Sequence, residues 1–352
     1  MPLTIEMLEA APILKEDYNV HLIEGAEATF EFPATLGDFT TTGVVTTDEP
    51  TSVIDGDPVV RTYTNMTIQS GHIFRPSNRC KGLFLYILGN LVVNGQLTMT
   101  ARGANVPGKY VGMDYNNNTI YFNNTDIFSE HDIPVIAPAG GGITAYPAHS
   151  SRVNGNPGIN GACGGGGSGG KWTSGGGSGN AGRGQAGTSF SGGAGGGALN
   201  VYARANNAQD GAINGGKGGN GLANDTDSGT YGRTAGGGAG NPGGTHGKYL
   251  SSGTGGSSGG NGTGGLIILF VKGTITIGPS GIISADGVAG GNATAGSQRI
   301  GGGGSGGGAI HIFHKGTYTK FGTIRADGGA GGTGYATPGG NGGNGTINIV
   351  QI

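Results

Sequence analysis

LIILFVKGTITIGPSGIISADG, residues 266–287, carries three apolar pulses divided by glycines and ends on Ala-Asp-Gly. The same plan stands upstream as LFLYILGNLVVNGQLTMTARG, residues 83–103. Counted from Ile267, the two align without a gap: Gly89 falls on Gly273, Leu91 on Ile275, Val93 on Ile277, Ala101 on Ala285 and Gly103 on Gly287. A third copy, IHIFHKGTYTKFGTIRADG at 310–328, is two residues shorter between its Lys-Gly and its Ala-Asp-Gly. Fainter copies are LNVYA at 199–203, followed by GAINGG, and INIVQI at 347–352. Pulses of three to five apolar residues separated by glycine suit short strands with tight corners. Stacking such units buries an apolar stripe that none buries alone. The expected fold is all-β: a small N-terminal β domain, then a solenoid-like β-repeat.

Composition qualifies this picture. The chain has 84 glycines in 352 residues, against a usual share of ~7%, and 73 of them follow position 139. Residues 1–60 hold 12 carboxylates and one base, Lys15, whereas residues 61–352 hold 18 bases and nine carboxylates. That asymmetry suggests two parts with different partners. Residues 1–75 therefore read as an acidic attachment domain, with a short helix near its start capped by Thr4 and limited by Pro12. Residues 76–352 read as the glycine-rich repeat domain, with a surface insert at 104–139. Cys80 and Cys163 are too few and too far apart for a zinc site or a disulfide framework. The start MPLTIEMLEA lacks the basic and apolar regions of a signal peptide, and no apolar stretch approaches the ~18 residues of a membrane span. The bases are too scattered among glycines to form a nucleic-acid stripe.

Ordered glycine needs support, because it loses the most backbone entropy on folding. The runs are either turns held by neighbouring strands or extended threefold helices of polyproline-II type. Such helices make no internal hydrogen bonds and direct their N–H and C=O groups sideways to neighbours. Glycine runs lead directly into GGGALNV, GGLIIL, GGGAIHI and GNGTINI. This regularity predicts strands on one side of the cross-section and glycine helices on the other.

The glycine runs and variable loops between about Gly140 and Gly345 resemble the glycine-rich adhesins at the tips of T-even-type phage tail fibres. GNLVVNGQLTMTARGA, residues 89–104, is similar to a recurrent element of glycine-rich phage tail proteins. The resemblance implies polyglycine-II helices packed as a sandwich and distal loops that bind a host receptor. The chain departs from the adhesins in interleaving a β-repeat with its glycine runs.

No catalytic constellation emerges. Gly165–Lys171 approaches a phosphate loop but is followed by Trp172 where Ser or Thr is required. The GxSxG matches at Ser168, Ser257 and Ser305 lack the strand-turn-helix setting of a nucleophile. His311 and His314 lie three apart on one strand and point to opposite faces. Asp286 and Asp327 share a repeat position, where Asp side chains accept local backbone N–H bonds in turns. Hence neither cofactor, metal nor enzymatic activity is expected. What remains is a set of rings in the variable inserts: Tyr121, Phe122, Phe128, Tyr146, Trp172, Phe190, Tyr231, Tyr249 and Tyr335. They serve either as receptor contacts or as caps on the glycine layer and contacts to another subunit.

The resulting expectation is a phage tail-fibre or tail-tip protein, made in the host cytoplasm and carried in the virion. It would dock to other virion proteins through residues 1–75 and to a host-surface protein or glycan through its C-terminal loops, with a homotrimer as one candidate assembly. A purely architectural virion protein and a glycan-cleaving tail protein are the alternative readings. Neither nucleic acid nor membrane insertion is expected.

Overall fold

A computed structural model describes residues 34–105, 110–114, 119–123, 171–174, 177–180, 187–188, 190–195, 238–241, 260–292, 302–333 and 339–351. Among these residues every regular element is a strand. The chain begins with β1 (Phe39–Thr40) and β2 (Thr46–Glu49). The first full rung is β3 (Val59–Tyr63), β4 (Met66–Ile68) and β5 (Ile73–Pro76). The second is β6 (Leu83–Ile87), β7 (Leu91–Val93) and β8 (Gln96–Thr98). Two antiparallel hairpins follow before the next rung: β9 (Tyr110–Asp114) with β10 (Thr119–Asn123), and β11 (Lys171–Ser174) with β12 (Gly177–Asn180). The third rung is β13 (Leu266–Val271), β14 (Ile275–Ile277) and β15 (Ile282–Ser284). The fourth is β16 (Ala309–His314), β17 (Tyr318–Lys320) and β18 (Thr323–Arg325), and β19 (Thr346–Gln351) opens a fifth.

Equivalent strands pair in parallel, giving three five-stranded sheets: β3-β6-β13-β16-β19, β1-β4-β7-β14-β17 and β2-β5-β8-β15-β18. The repeat is thus a three-sided parallel β-solenoid. Alternate residues point to the axis and form one continuous core. Leu83, Leu85 and Ile87 lie beside Ile267, Leu269 and Val271 in one sheet, Leu91 and Val93 beside Ile275 and Ile277 in the next, and Leu97 beside Ile283 in the third. The outward residues Phe84, Tyr86, Ile268, Phe270 and Phe313 of the first sheet are buried as well. Burial on both faces explains why LFLYI and LIILFV read as unbroken apolar runs. Tyr86, Phe270 and Phe313 stack at 5.1 and 5.0 Å between ring centres, each pair contributing about 1 kcal/mol beyond its buried area.

The gapless alignment of the two principal repeats holds through the second strand and then slips. Ile282 pairs with Gln96 and Ile283 with Leu97, because four residues turn the corner between β14 and β15 where two suffice between β7 and β8. The side-chain period of a strand is two, so a two-residue slip keeps every inward residue inward and leaves no mark on the apolar pattern. Asp286 and Asp327 do occupy the same place, as Ser284 pairs with Arg325 two positions earlier.

The sheets also run through position 75. β5 crosses it, and β3, β4 and β5 pair with β6, β7 and β8 on the same core. VVRTYTNMTIQSGHIFRP, residues 59–76, is therefore a further copy of the repeat. Its disguise is Arg61, which stands in register with the core residue Leu85 and is neutralised there by Glu49 at 2.7 Å. The expected helix near the N-terminus lies outside the described residues, as does LNVYA at 199–203.

Side chains tie the corners from rung to rung. Asn65 Oδ1 accepts the Asn90 N–H at 2.8 Å, and Asn90 Oδ1 accepts the Thr274 N–H at 2.9 Å. Glycine stands before two of these residues because a Cβ on Gly273 would overlap the Gly89 carbonyl of the preceding rung.

Candidate functional site: the glycine layer and its far edge

The corner between the third strand of one rung and the first of the next decides where function can sit. Six residues, 77–82, make that turn between β5 and β6. At the later rungs the same corner takes residues 99–265, 285–308 and 326–345. Everything beyond the first six is excursion, and all of it leaves from one side of the solenoid.

Glycine-rich rows from these excursions pack against one another. The row Gly302–Gly308 is fully buried and runs straight into β16. Its Gly302, Ser305 and Gly308 N–H groups donate to the Gly291, Val288 and Ala285 carbonyls at 3.0, 3.0 and 2.7 Å. Gly304 and Gly307 donate to Gly340 and Gly343 at 2.9 and 3.0 Å, and Gly306 donates to Gly193 at 2.7 Å. Consecutive residues thus serve three different neighbours, and two of the directions recur every third residue. Another row repeats the pattern: Gly339, Gly342 and Gly345 donate to Gly332, Gly329 and Ala326 at 3.0, 2.8 and 2.7 Å. A Cβ on Gly304 would overlap the Gly329 carbonyl oxygen, so the rows approach as only glycine backbones allow.

Asparagine side chains add further bonds to glycine N–H groups of the layer. Asn341 and Asn344, exposed and three apart in GGNGGNG, accept the N–H groups of Gly331 and Gly328 at 2.8 and 3.0 Å. Asn292 accepts the Thr333 N–H at 2.8 Å. Inside the layer, Asn241 donates to the Gly103 carbonyl and, at 3.0 Å, to Thr263 Oγ1. Ser305 donates to the Gly262 carbonyl at 3.0 Å and accepts the Val288 N–H at 2.8 Å, which makes its hydroxyl a structural tie. The asparagine spacing of three is visible in the sequence; which N–H groups the side chains meet depends on how the rows pack.

The far edge of the layer, away from the strands, gathers the chain ends of three excursions. Gly195 donates to Ala239 at 2.6 Å, Gly302 to Gly291 at 3.0 Å and Gly339 to Gly332 at 3.0 Å. Ala239 further donates to Gly303, and Gly332 to Gly302, at 2.8 and 2.7 Å. Segments 196–237, 293–301 and 334–338 therefore leave and re-enter side by side. Residues 106–186 depart elsewhere: the Ala104 N–H binds the Phe190 carbonyl at 3.2 Å, and the Asn105 N–H binds Asp55 Oδ1 at 3.0 Å. Asp55 is held in turn by Arg79, whose Nε and Nη2 donate to its two carboxylate oxygens at 2.8 and 2.9 Å.

The candidate contact residues divide accordingly. Tyr121 and Phe122 lie on β10, opposite Gly112 and Val111, and Trp172 lies on β11, opposite Gly179. Tyr146, Tyr231, Tyr249, Tyr335 and Phe128 lie outside the described residues, as do Ser168, Ser257 and Cys163. Phe190 is a correction. It is 1% exposed, enclosed where the insert rejoins the solenoid, and so cannot serve as an exposed contact.

Among the described residues, titratable groups near the layer are few. Asp286 Oδ1 accepts the Asp327 N–H at 3.0 Å, and its Oδ2 meets Arg325 Nε at 2.9 Å. The expected local turn bond is thus a bond between rungs. Burial raises the Asp286 carboxyl above the usual range, against the Asp327 N–H and Arg325. Cys80 is a buried free thiol, also raised by burial. Among the described residues no three His, Cys, Asp or Glu side chains gather as a metal site, and no helix is long and apolar enough to cross a membrane. Comparison with protein-family models, curated proteins and solved structures finds no match to this chain.

Proposed function

We propose that this chain is a bacteriophage tail-fibre or tail-tip protein whose glycine layer is a stack of polyglycine-II helices presenting receptor-binding loops to the host surface. One observation carries the reading: the ends of three segments, 196–237, 293–301 and 334–338, meet at one edge of a hydrogen-bonded layer. The threefold recurrence of sideways hydrogen bonds is what polyglycine-II packing requires. Loops held by a rigid scaffold are where recognition residues concentrate, and convergence at one edge lets a single receptor touch several. In this reading the acidic N-terminal part joins the chain to other virion proteins, and the protein binds without cleaving.

The test is adsorption. Replacing residues 293–301 and 334–338 by short glycine linkers, singly and together, is expected to lower adsorption of assembled particles to host cells by tenfold or more, judged from the usual cost of losing an interface anchor. Intact particles that adsorb normally would make the protein architectural instead. Release of reducing ends from host surface glycans would make it an enzyme.

A further inference from the structure

Part of the chain's charge asymmetry resolves into a contact. Residues 34–57 lay a half-rung, β1 and β2, on the first full rung, and they hold five carboxylates and no Lys or Arg. Each of the five meets a side chain of that rung or of the corner after it. Asp38 accepts from Asn65 at 2.9 Å, Asp48 from Arg75 at 2.8 Å, Glu49 from Arg61 at 2.7 Å and Asp57 from Lys81 at 2.9 Å. Asp55 takes Nε and Nη2 of Arg79. These four cations are all the Lys and Arg residues of 61–82. Apolar packing adds less: of six Leu, Val, Ile and Phe side chains in the half-rung, Phe39 packs against the core and the other five are exposed. β1 pairs over only two residues and β2 over four. Among the described residues one other ion pair joins rungs, Arg325 with Asp286, so charge is concentrated at this seam.

The seam also reaches the first excursion. Asp55 lies at φ 62°, in the left-handed region that is uncommon for residues other than glycine and that Asp visits more readily than most. Backbone strain of this kind clusters at switches and clamps. The turn is held by the Asp55 N–H on the Arg79 carbonyl at 2.8 Å and the Lys81 N–H on the Gly56 carbonyl at 3.0 Å. Besides Arg79 Nε, Asp55 Oδ1 receives the N–H of Asn105 at 3.0 Å, where the first excursion departs. One carboxylate oxygen thus serves both the seam and the base of the excursion. The seam is open to solvent at its ends, since the Asp48 and Asp57 side chains are 43% and 77% exposed. Salt screens exposed pairs far more than enclosed ones, and segments with few buried apolar contacts open before the rest of a fold.

We infer that residues 34–57 are an electrostatic latch: salt releases the half-rung from the solenoid, and its release frees the base of the first excursion at Asn105. The inference does not depend on the receptor-binding reading. Amide hydrogen exchange of the full chain tests it. The Phe39, Thr41 and Asp55 N–H groups bind the Asn65, Thr67 and Arg79 carbonyls across the seam. Between about 0.05 and 1 M sodium chloride these amides should come to exchange about tenfold faster, the summed loss of several weak pairs. The Asn105 amide should quicken with them, while the amides of β7 and β14 keep their rates. Arg79→Gln should make the Asn105 amide fast already at low salt. Asp57→Asn, at an exposed side chain that threatens no packing, should move the release to lower salt. Salt-independent exchange in the half-rung, equal acceleration in β7, or an Asn105 amide that stays slow while Phe39 and Thr41 quicken would each overturn the latch.

Discussion

Asp286 Oδ1 receives the backbone N–H of Asp327 at 3.0 Å, although the two residues belong to successive rungs. The same carboxylate meets Arg325 at 2.9 Å. Asp286→Ala should remove the Asp327 N–H bond, which lies at an exposed position, and lower stability by about 0.5–1.5 kcal/mol. The Arg325 contact adds little, since that side chain is 43% exposed. Asp286→Asn keeps an acceptor oxygen and should lose less than half as much. Chemical denaturation of the three proteins measures the order; equal losses for Ala and Asn would assign the effect to charge.

Gly304 lies against the Gly329 carbonyl with no room for a Cβ. Gly304→Val should therefore separate the rows and yield misassembled, protease-sensitive protein. Soluble, protease-resistant Gly304→Val would show that the rows do not pack as described.

The Ala104 N–H to Phe190 carbonyl contact, 3.2 Å, closes the base of the excursion 106–186. Replacing that segment by a short glycine-serine linker should leave the melting temperature within a few degrees of the parent, since β6 and β13 pair without it. A collapse of the melting transition would mean that the segment braces the solenoid.

His311 is 3% exposed, its Nε2 has no hydrogen-bond partner, and burial pushes its pKa down to about 4 from 6.5. The unfolded chain binds this proton more readily than the folded one, so stability falls as pH drops from about 6.5 to 4. Asp286, raised by burial, has the opposite slope. Comparing His311→Gln with the parent isolates the histidine: the parent should lose about 3 kcal/mol more across that window, read from denaturation midpoints at each pH. Equal pH profiles would refute the assignment.

Much of this architecture was legible in the chain. Apolar pulses at 83–103, 266–287 and 310–328 gave the rungs, and glycine runs ending at Gly265, Gly308 and Gly345 marked the rows that feed strands. The rung at 59–76 was hidden because Arg61 interrupts its inward face and its partner Glu49 stands in another sheet. The slip after Val93 was hidden because displacement by two preserves the pattern. Phe190 was misjudged because enclosure depends on how distant segments meet, which local composition does not encode.

The pairing of β6 with β13 has a consequence in time. Residues 99–265 separate the second and third rungs in the chain. At ribosomal rates of about 5–20 residues per second, roughly ten to thirty seconds pass between synthesis of β8 and arrival of β13. During that interval β6, β7 and β8 have their upper partners and no lower ones. The half-built stack must then survive with an open edge, which makes it the stage of this protein's life most in need of a chaperone.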